Sequence, residues 1–228
     1  MEAQTLSPAS PAIEDYAKAI YSLTSHGPES ASTNALARRL SLTPGSVSAM
    51  LGKLADAGLV EHIPYRGVRL TAEGERVAMA VLRRHRLLES FLAEILEVPW
   101  ERVHAEAEVL EHVLSADLAE LIARKLGDPT VDPHGDPIPT RDGAIVETTA
   151  VSLAEVEPGS RARLVRVSDS DPEMLAYLSG LGITVGSELE LLERQPFEGP
   201  CVVSFEGETR SLGIALARAM RVDTGGDR

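Results

Sequence analysis

The chain has 228 residues, with 22 basic side chains against 35 acidic ones and a formal charge of −13. That length allows one large domain or two small ones, and 43% hydrophobic with 25% charged residues is an ordinary globular composition that argues against wholesale disorder. No run approaches the roughly 18 apolar residues of a membrane span, the first residues lack a charged-then-apolar leader pattern, and the single cysteine, Cys201, excludes a disulfide framework and a thiolate zinc finger, so the expected setting is cytoplasmic with no membrane partner.

Residues 12–25 predict a helix, with Ile13, Tyr16, Ala17, Ile20 and Leu23 on one face and Gly27-Pro28 beyond its end. A short helix capped by Ser32 or Thr33 runs to Leu40. After the turn Leu42-Thr43-Pro44-Gly45, a second helix reaches about Ala57 and stops at Gly58, with Val47, Leu51 and Leu54 on its apolar face. Residues 59–62 and 68–70 read as short strands around Tyr65-Arg66-Gly67. Thr71 is placed to cap a long helix from Glu73 to about Leu96, whose first turn carries Glu73 and Glu75 where the helix dipole favours them. Helices follow over Glu101–Ser115 and Asp117–Leu126. The Pro and Gly density of 127–139 forbids regular structure and continues past Gly143, which sets a linker at 141–158. Beyond it, 162–167, 188–192, 201–205 and 208–212 read as strands, with short helices at 172–179 and 214–219, a pattern that suggests a small β-barrel over 159–224.

Two constellations carry chemistry. The first is helix, turn, helix and wing within residues 1–72. Residues 33–72 hold five basic against two acidic side chains, a local +3 on an acidic chain. The amino-terminal end of the second helix fits a DNA major groove, with Ser46 and Ser48 reaching base or phosphate edges, Thr43 and Gly45 at the backbone approach, Lys53 meeting phosphate, and Arg66 at the wing tip. That helix has no Arg or Gln in its first turns, so readout leans on shape.

The second constellation lies in 73–140. His104, Glu108, Glu111 and His112 fall on one helical stripe, and His85 and Glu89 form another i, i+4 pair. Such pairs also occur as solvated surface residues. Here Val103, Leu110 and Val113 supply a packing face nearby, and buried carboxylates need a cation. Oxygen and imidazole donors without sulfur suit Mn(II) or Fe(II) better than structural zinc. Glu14 and Asp15 on the first helix are further carboxylates. His26, His62 and His134 are read as solvated. A metal-dependent hydrolase would use similar ligands, but the sequence has no Ser-His-Asp arrangement, no Gly-rich phosphate loop and no HExxH motif. A peptide-binding adaptor would need an aromatic stripe that the barrel lacks.

The strings Glu14-Asp15-Tyr16, Arg84-His85-Arg86-Leu87-Leu88-Glu89, Val103 to His112, and Asp132-Pro133-His134-Gly135-Asp136-Pro137-Ile138-Pro139, in this order, resemble the diphtheria toxin repressor family of metal-dependent transcriptional regulators from about Ile13 to Val222. The resemblance implies a winged helix-turn-helix, a helical metal-binding and dimerisation region, and an all-β SH3-like (FeoA-type) barrel. It implies a homodimer on a palindromic double-stranded DNA operator and two metal sites per subunit. The primary site would be Asp15, Glu108, Glu111 and His112. The iron-responsive branch has Met and Cys at the places of Asp15 and Glu108, so the carboxylates favour Mn(II), with Fe(II) the alternative. The ancillary site would be His85, Glu89 and His104, with Asp171 added from the barrel. Lys18 falls where the short manganese regulators carry a metal-binding Glu, which implies separated sites.

Overall fold

The computed structural model describes residues 10–25, 27–146 and 149–225. His26 and the first nine residues lie outside the described residues. The chain forms two compact units. Among the described residues no helix is long and apolar enough to cross a membrane.

The first unit comprises residues up to His85 together with Glu111–Leu114 and Pro139–Ala144. It opens with α1 (Pro11–Thr24), α2 (Thr33–Arg39) and α3 (Pro44–Asp56). Ser32 caps α2 by accepting from the Ala35 amide, and Thr43 caps α3 by accepting from Ser46. Strands β1 (Val60–Ile63) and β2 (Gly67–Leu70) pair antiparallel, Val60 opposite Leu70. Buried Ile20, Leu36, Val47, Leu51, Leu54 and Val68 come from these packed elements. The wing is anchored where Ala31 and Val68 exchange two backbone hydrogen bonds, and Gly67 (φ +127°) fits there because a Cβ would lie 2.1 Å from the Ala31 carbonyl oxygen. Thr71 caps the amide of Gly74 at the start of α4 (Ala72–Glu94).

The second unit comprises residues 86–110, 115–138 and 145 onward. It holds the end of α4, then α5 (Trp100–Leu110) and α6 (Ala116–Lys125, capped by Ser115). The expected helix to Ser115 instead stops at Leu110, and residues 111–113 form a turn. Just beyond its end the Arg84 guanidinium donates at 2.8 Å to the Glu111 carbonyl, which gives that carbonyl a partner outside the helix.

The sheet of this unit contains β3 (Val151–Ser152), β4 (Arg161–Val167), β5 (Glu188–Arg194), β6 (Cys201–Phe205), β7 (Glu208–Leu212) and β8 (Met220–Asp223), with α7 (Pro172–Gly180) and α8 (Ile214–Ala219) between strands. Its order, β3-β8-β4-β5-β6-β7, is open, so the expected closed barrel is an all-β sheet in which β3 and β7 are edges. The sheet begins at Val151, inside the expected linker, because β3 pairs with β8. Leu164, Leu175, Ile183, Leu191, Cys201 and Met220 are fully buried in one core, and Trp100 packs on it from α5.

The Pro-rich string 132–139 is bound rather than solvated. The Asp132 carboxylate accepts from the amides of His134 and Asp136 at 2.9 Å, and the Val167 amide donates to the His134 carbonyl at 2.8 Å. Gly135 (φ +86°) lies against β4, where a Cβ would stand 1.9 Å from the Val165 carbonyl oxygen. Left-handed backbone and overlap with backbone act together here. Gly135→Ala is expected to cost about 2–5 kcal/mol in chemical denaturation, whereas Gly159→Ala, a left-handed glycine with open space around it, loses only the smaller backbone share.

Candidate metal centre

The first cluster is built from α1 and the turn after α5. Glu14 and Asp15 lie on the first turns of α1, and Lys18 follows one turn later on the same face. Asp15, Glu111 and His112 each offer a donor atom within 4.8 Å of the others. His112 is oriented for this. Its Nδ1 is held by Glu14 Oε2 at 2.8 Å, which turns Nε2 toward Asp15 Oδ1 at 3.0 Å and Glu111 Oε1 at 3.5 Å. Glu14 is in turn fixed by the Arg84 guanidinium at 2.6 Å. Glu111 is fully buried. Its Oε1 accepts from Lys18 Nζ at 2.5 Å and its Oε2 from His85 Nδ1 at 2.5 Å. Burial pushes its pKa up, but the His85 hydrogen bond and the Lys18 charge outweigh this and hold the carboxyl below its ordinary value.

A second cluster belongs to the other unit. His104 on α5 points Nδ1 at Glu89 Oε1 (3.1 Å) and Asp169 Oδ2 (2.9 Å). Burial alone would pull the imidazole down, but hydrogen bonds to Asp169 and Glu89 raise it to about 10. Asp169 itself lies below its ordinary value, because the His104 hydrogen bond outweighs burial. Beneath this pair, Glu89, Asp132 and His134 form a fully enclosed group. The His134 ring stacks on Trp100 with centroids 5.8 Å apart, and its Nε2–H donates to the Trp100 carbonyl at 2.8 Å. That leaves His134 Nδ1 buried, 3.8 Å from Glu89 Oε1 and without a hydrogen-bond partner among the described residues. Burial and the neighbouring Glu89 and Asp136 charges push Asp132 well up.

The expected ligands are distributed as follows. Asp15, Glu111 and His112 converge. Glu108 lies half a side chain in solvent on the last turn of α5, 3.7 Å from His104 Nε2. His85 engages Glu111 and stands one helical turn before Glu89. Asp171 does not approach His104 through a described contact; its carboxylate caps α7, accepting from the Glu173 and Met174 amides, and Asp169 makes the His104 contact. The Asp171-Pro172 pair is itself an N-cap signature and could have revealed this. His134 is buried, whereas His62 is exposed as expected.

On the first unit, Thr43, Gly45, Ser46, Ser48, Lys53 and Arg66 are all exposed along α3 and the wing. The Thr43 and Ser46 hydroxyls are 3.0 Å apart at the start of α3, and Arg66 makes only a loose 3.7 Å ion pair with Glu29. Tyr65 stands at the tip of the wing, fully exposed with φ +62°.

Comparison with known proteins places these features. Residues 9–68 match the iron dependent repressor N-terminal DNA binding domain, 71–140 the iron dependent repressor metal binding and dimerisation domain, and 151–224 the FeoA domain. The chain is 31% identical over 220 residues to the diphtheria toxin repressor of Corynebacterium efficiens, covering 92% of this chain and 94% of that protein. The chain belongs to the diphtheria toxin repressor family. It is also 30% identical over 223 residues to the iron-dependent repressor IdeR of Mycobacterium leprae, covering 92% of this chain and 96% of that protein. Among solved structures, it superposes on a manganese-dependent transcriptional repressor in complex with manganese at TM-score 0.88, with 41% identity over 93% of this chain and 99% of that one. It superposes on the manganese regulator SloR at 0.76, with 32% identity over 96% and 100%. The protein is thus a metal-dependent transcriptional repressor of this family, whose members are DNA-binding proteins rather than enzymes.

The donor set of the repressor fits a divalent cation. The three converging donors are two carboxylate oxygens and an imidazole nitrogen whose other nitrogen is held by a carboxylate. The protonated His104 pair gives a test of the second cluster. A raised imidazole contributes stability that is complete below its unfolded value of 6.5 and fades as pH climbs toward about 10. The melting-temperature deficit of metal-free His104→Gln should therefore be widest near pH 6 and shrink toward pH 10. A deficit that grows with pH contradicts this assignment.

Proposed function

We propose that the protein is a Mn(II)-responsive repressor of metal-homeostasis genes, acting in the cytoplasm as a homodimer on a palindromic operator. The observation that carries the reading is the convergence of Asp15, Glu111 and the Glu14-oriented His112 on one point. These donors are oxygen and imidazole only, which suits Mn(II); the iron-dependent curated relatives support Fe(II) as the second reading. Asp15, Glu111 and His112 would hold the primary ion, with Glu108 carried over as a fourth donor from the family resemblance. The ancillary ion would be held by Glu89, His104 and Asp169, with His85 carried over in the same way and the buried His134 Nδ1 as a further donor. A bound ion supplies the positive charge that the carboxylates require.

The chain's own residues convert this into DNA binding. Asp15 sits on α1, which packs against α2 and β2. Glu14, through Arg84, fixes the ring of His112, and Arg84 also holds the Glu111 carbonyl. Joining Asp15 to the Glu111–His112 turn therefore fixes α1, and with it the stance of α3 and the wing. Two such units at half-sites about one helical turn apart meet the operator together. For the dimer, α5 and α6 expose Val109, Leu110, Leu118 and Leu121, an apolar surface suited to a second copy. The wing and α3 offer Lys53 and Arg66 to phosphate, and Thr43, Gly45, Ser46 and Ser48 to the groove. The domain limits we adopt are 1–72 and 73–140, with a linker from 141 that ends where β3 begins at Val151 and an SH3-like fold from there to 224.

Glu111→Ala should abolish Mn²⁺-dependent retardation of operator DNA in a mobility-shift titration while the circular dichroism spectrum stays folded. Retained metal dependence contradicts the assignment.

A further inference from the structure

We propose that Lys18 is a built-in competitor for the effector cation: its ammonium holds the metal's place on Glu111 and sets how much free metal is needed to convert the protein. The inference rests on the metal reading above.

Lys18 Nζ lies 2.5 Å from Glu111 Oε1. That same oxygen faces His112 Nε2 at 3.5 Å, and the Glu111 carboxylate is one of the donors that converge with Asp15 and His112. The ammonium and the cation therefore draw on one carboxylate. Glu111 is 0% exposed and cannot stay ionised there without a compensating charge. Arg84 does not supply it, since its guanidinium is spent on Glu14 and on the Glu111 carbonyl. His85 occupies the other oxygen, Oε2, so both oxygens of the carboxylate are engaged.

Charge points the same way. The carboxylates of Glu14, Asp15 and Glu111 face the ammonium of Lys18 and the guanidinium of Arg84, leaving one net negative charge. A divalent ion is attracted, but less than it would be to the same donors without Lys18. The ammonium also has a way out. Lys18 is 15% exposed, and its flexible stem can carry the charge to solvent when Glu111 turns to another cation. Met or Gln at this position fills similar volume with no charge, so the carboxylate would hold its metal more tightly.

The test is a Mn²⁺ binding isotherm on the full chain, followed by calorimetry and by the electron paramagnetic resonance signal of free Mn²⁺. It compares the wild type with Lys18→Met, Lys18→Gln, Lys18→Arg and Glu111→Gln. Lys18→Met should bind Mn²⁺ about ten- to a hundredfold more tightly, the range of one charge-assisted hydrogen bond. Lys18→Arg should return toward wild type. The metal-free melting temperature of Lys18→Met should fall while the Mn²⁺-loaded one holds, enlarging the metal-induced shift. Lys18→Gln keeps a donor to Glu111 and carries the test if Lys18→Met does not fold without metal. Unchanged or weaker Mn²⁺ binding in Lys18→Met and Lys18→Gln, with Glu111→Gln still losing the transition, overturns the competitor role and leaves the metal site standing. If Glu111→Gln binds Mn²⁺ like wild type, the metal reading itself fails and the competitor role falls with it.

Discussion

A carboxylate removed from water must be given positive charge, and Glu111 is where this repressor meets that constraint. Its two oxygens are taken by an ammonium and an imidazole, its carbonyl by a guanidinium, and its neighbour His112 reaches back to the first helix. Each bond from this point runs to a distant part of the sequence: Lys18 and Asp15 on α1, Arg84 and His85 on α4. The short turn 111–113 is therefore a fastener between segments that local propensity could never bring together. Because cations hold it, cation supply can regulate it.

Regulation needs an element with two arrangements of similar free energy. The helix-turn-helix packs on a buried apolar core and the wing is tied to it by backbone bonds, so together they make a reading head held independently of any ion. The α1 face is different. It carries Glu14, Asp15 and Lys18 toward a polar centre, and its hold there depends on ion pairs whose strength responds to what else is present. A weak internal cation and a strong external one sharing a carboxylate give a switch with a threshold. The second cluster follows the same rule in the other unit, where Glu89, Asp132 and Asp136 are balanced by Arg86, Arg166 and His104.

Much of this was legible in the sequence. Apolar spacing located α1 and α3, capping residues placed α2 and α4, the alternating stretches located four strands, and the i, i+4 histidine–carboxylate pairs marked the regions that become the two clusters. What escaped was set by long-range contacts. Beyond the end of α5 at Leu110, the Glu111 carbonyl is held by Arg84, a partner 27 residues earlier in the chain. Glu14 could be seen as another carboxylate, but its task of turning His112 exists only in three dimensions. His134 looked solvated because Pro and Gly surround it, yet the string 132–139 is pinned to β4 and stacked under Trp100. Strands β3 and β8 are too short to show periodicity, and an open sheet differs from a closed barrel only in which edges meet. Asp169 and Asp171 stand two residues apart, and the helix start at Pro172 decides which of them is spent on capping.

The central claim is that a divalent ion bound between α1 and the Glu111–His112 turn fixes α1. Backbone amide exchange along residues 13–24, measured with and without Mn²⁺, tests it most directly. The account predicts that added Mn²⁺ slows exchange across α1, with much less change in α3, and that the slowing is lost in Asp15→Asn. Equal exchange across α1 in the two conditions, in protein shown to have bound Mn²⁺, would contradict it.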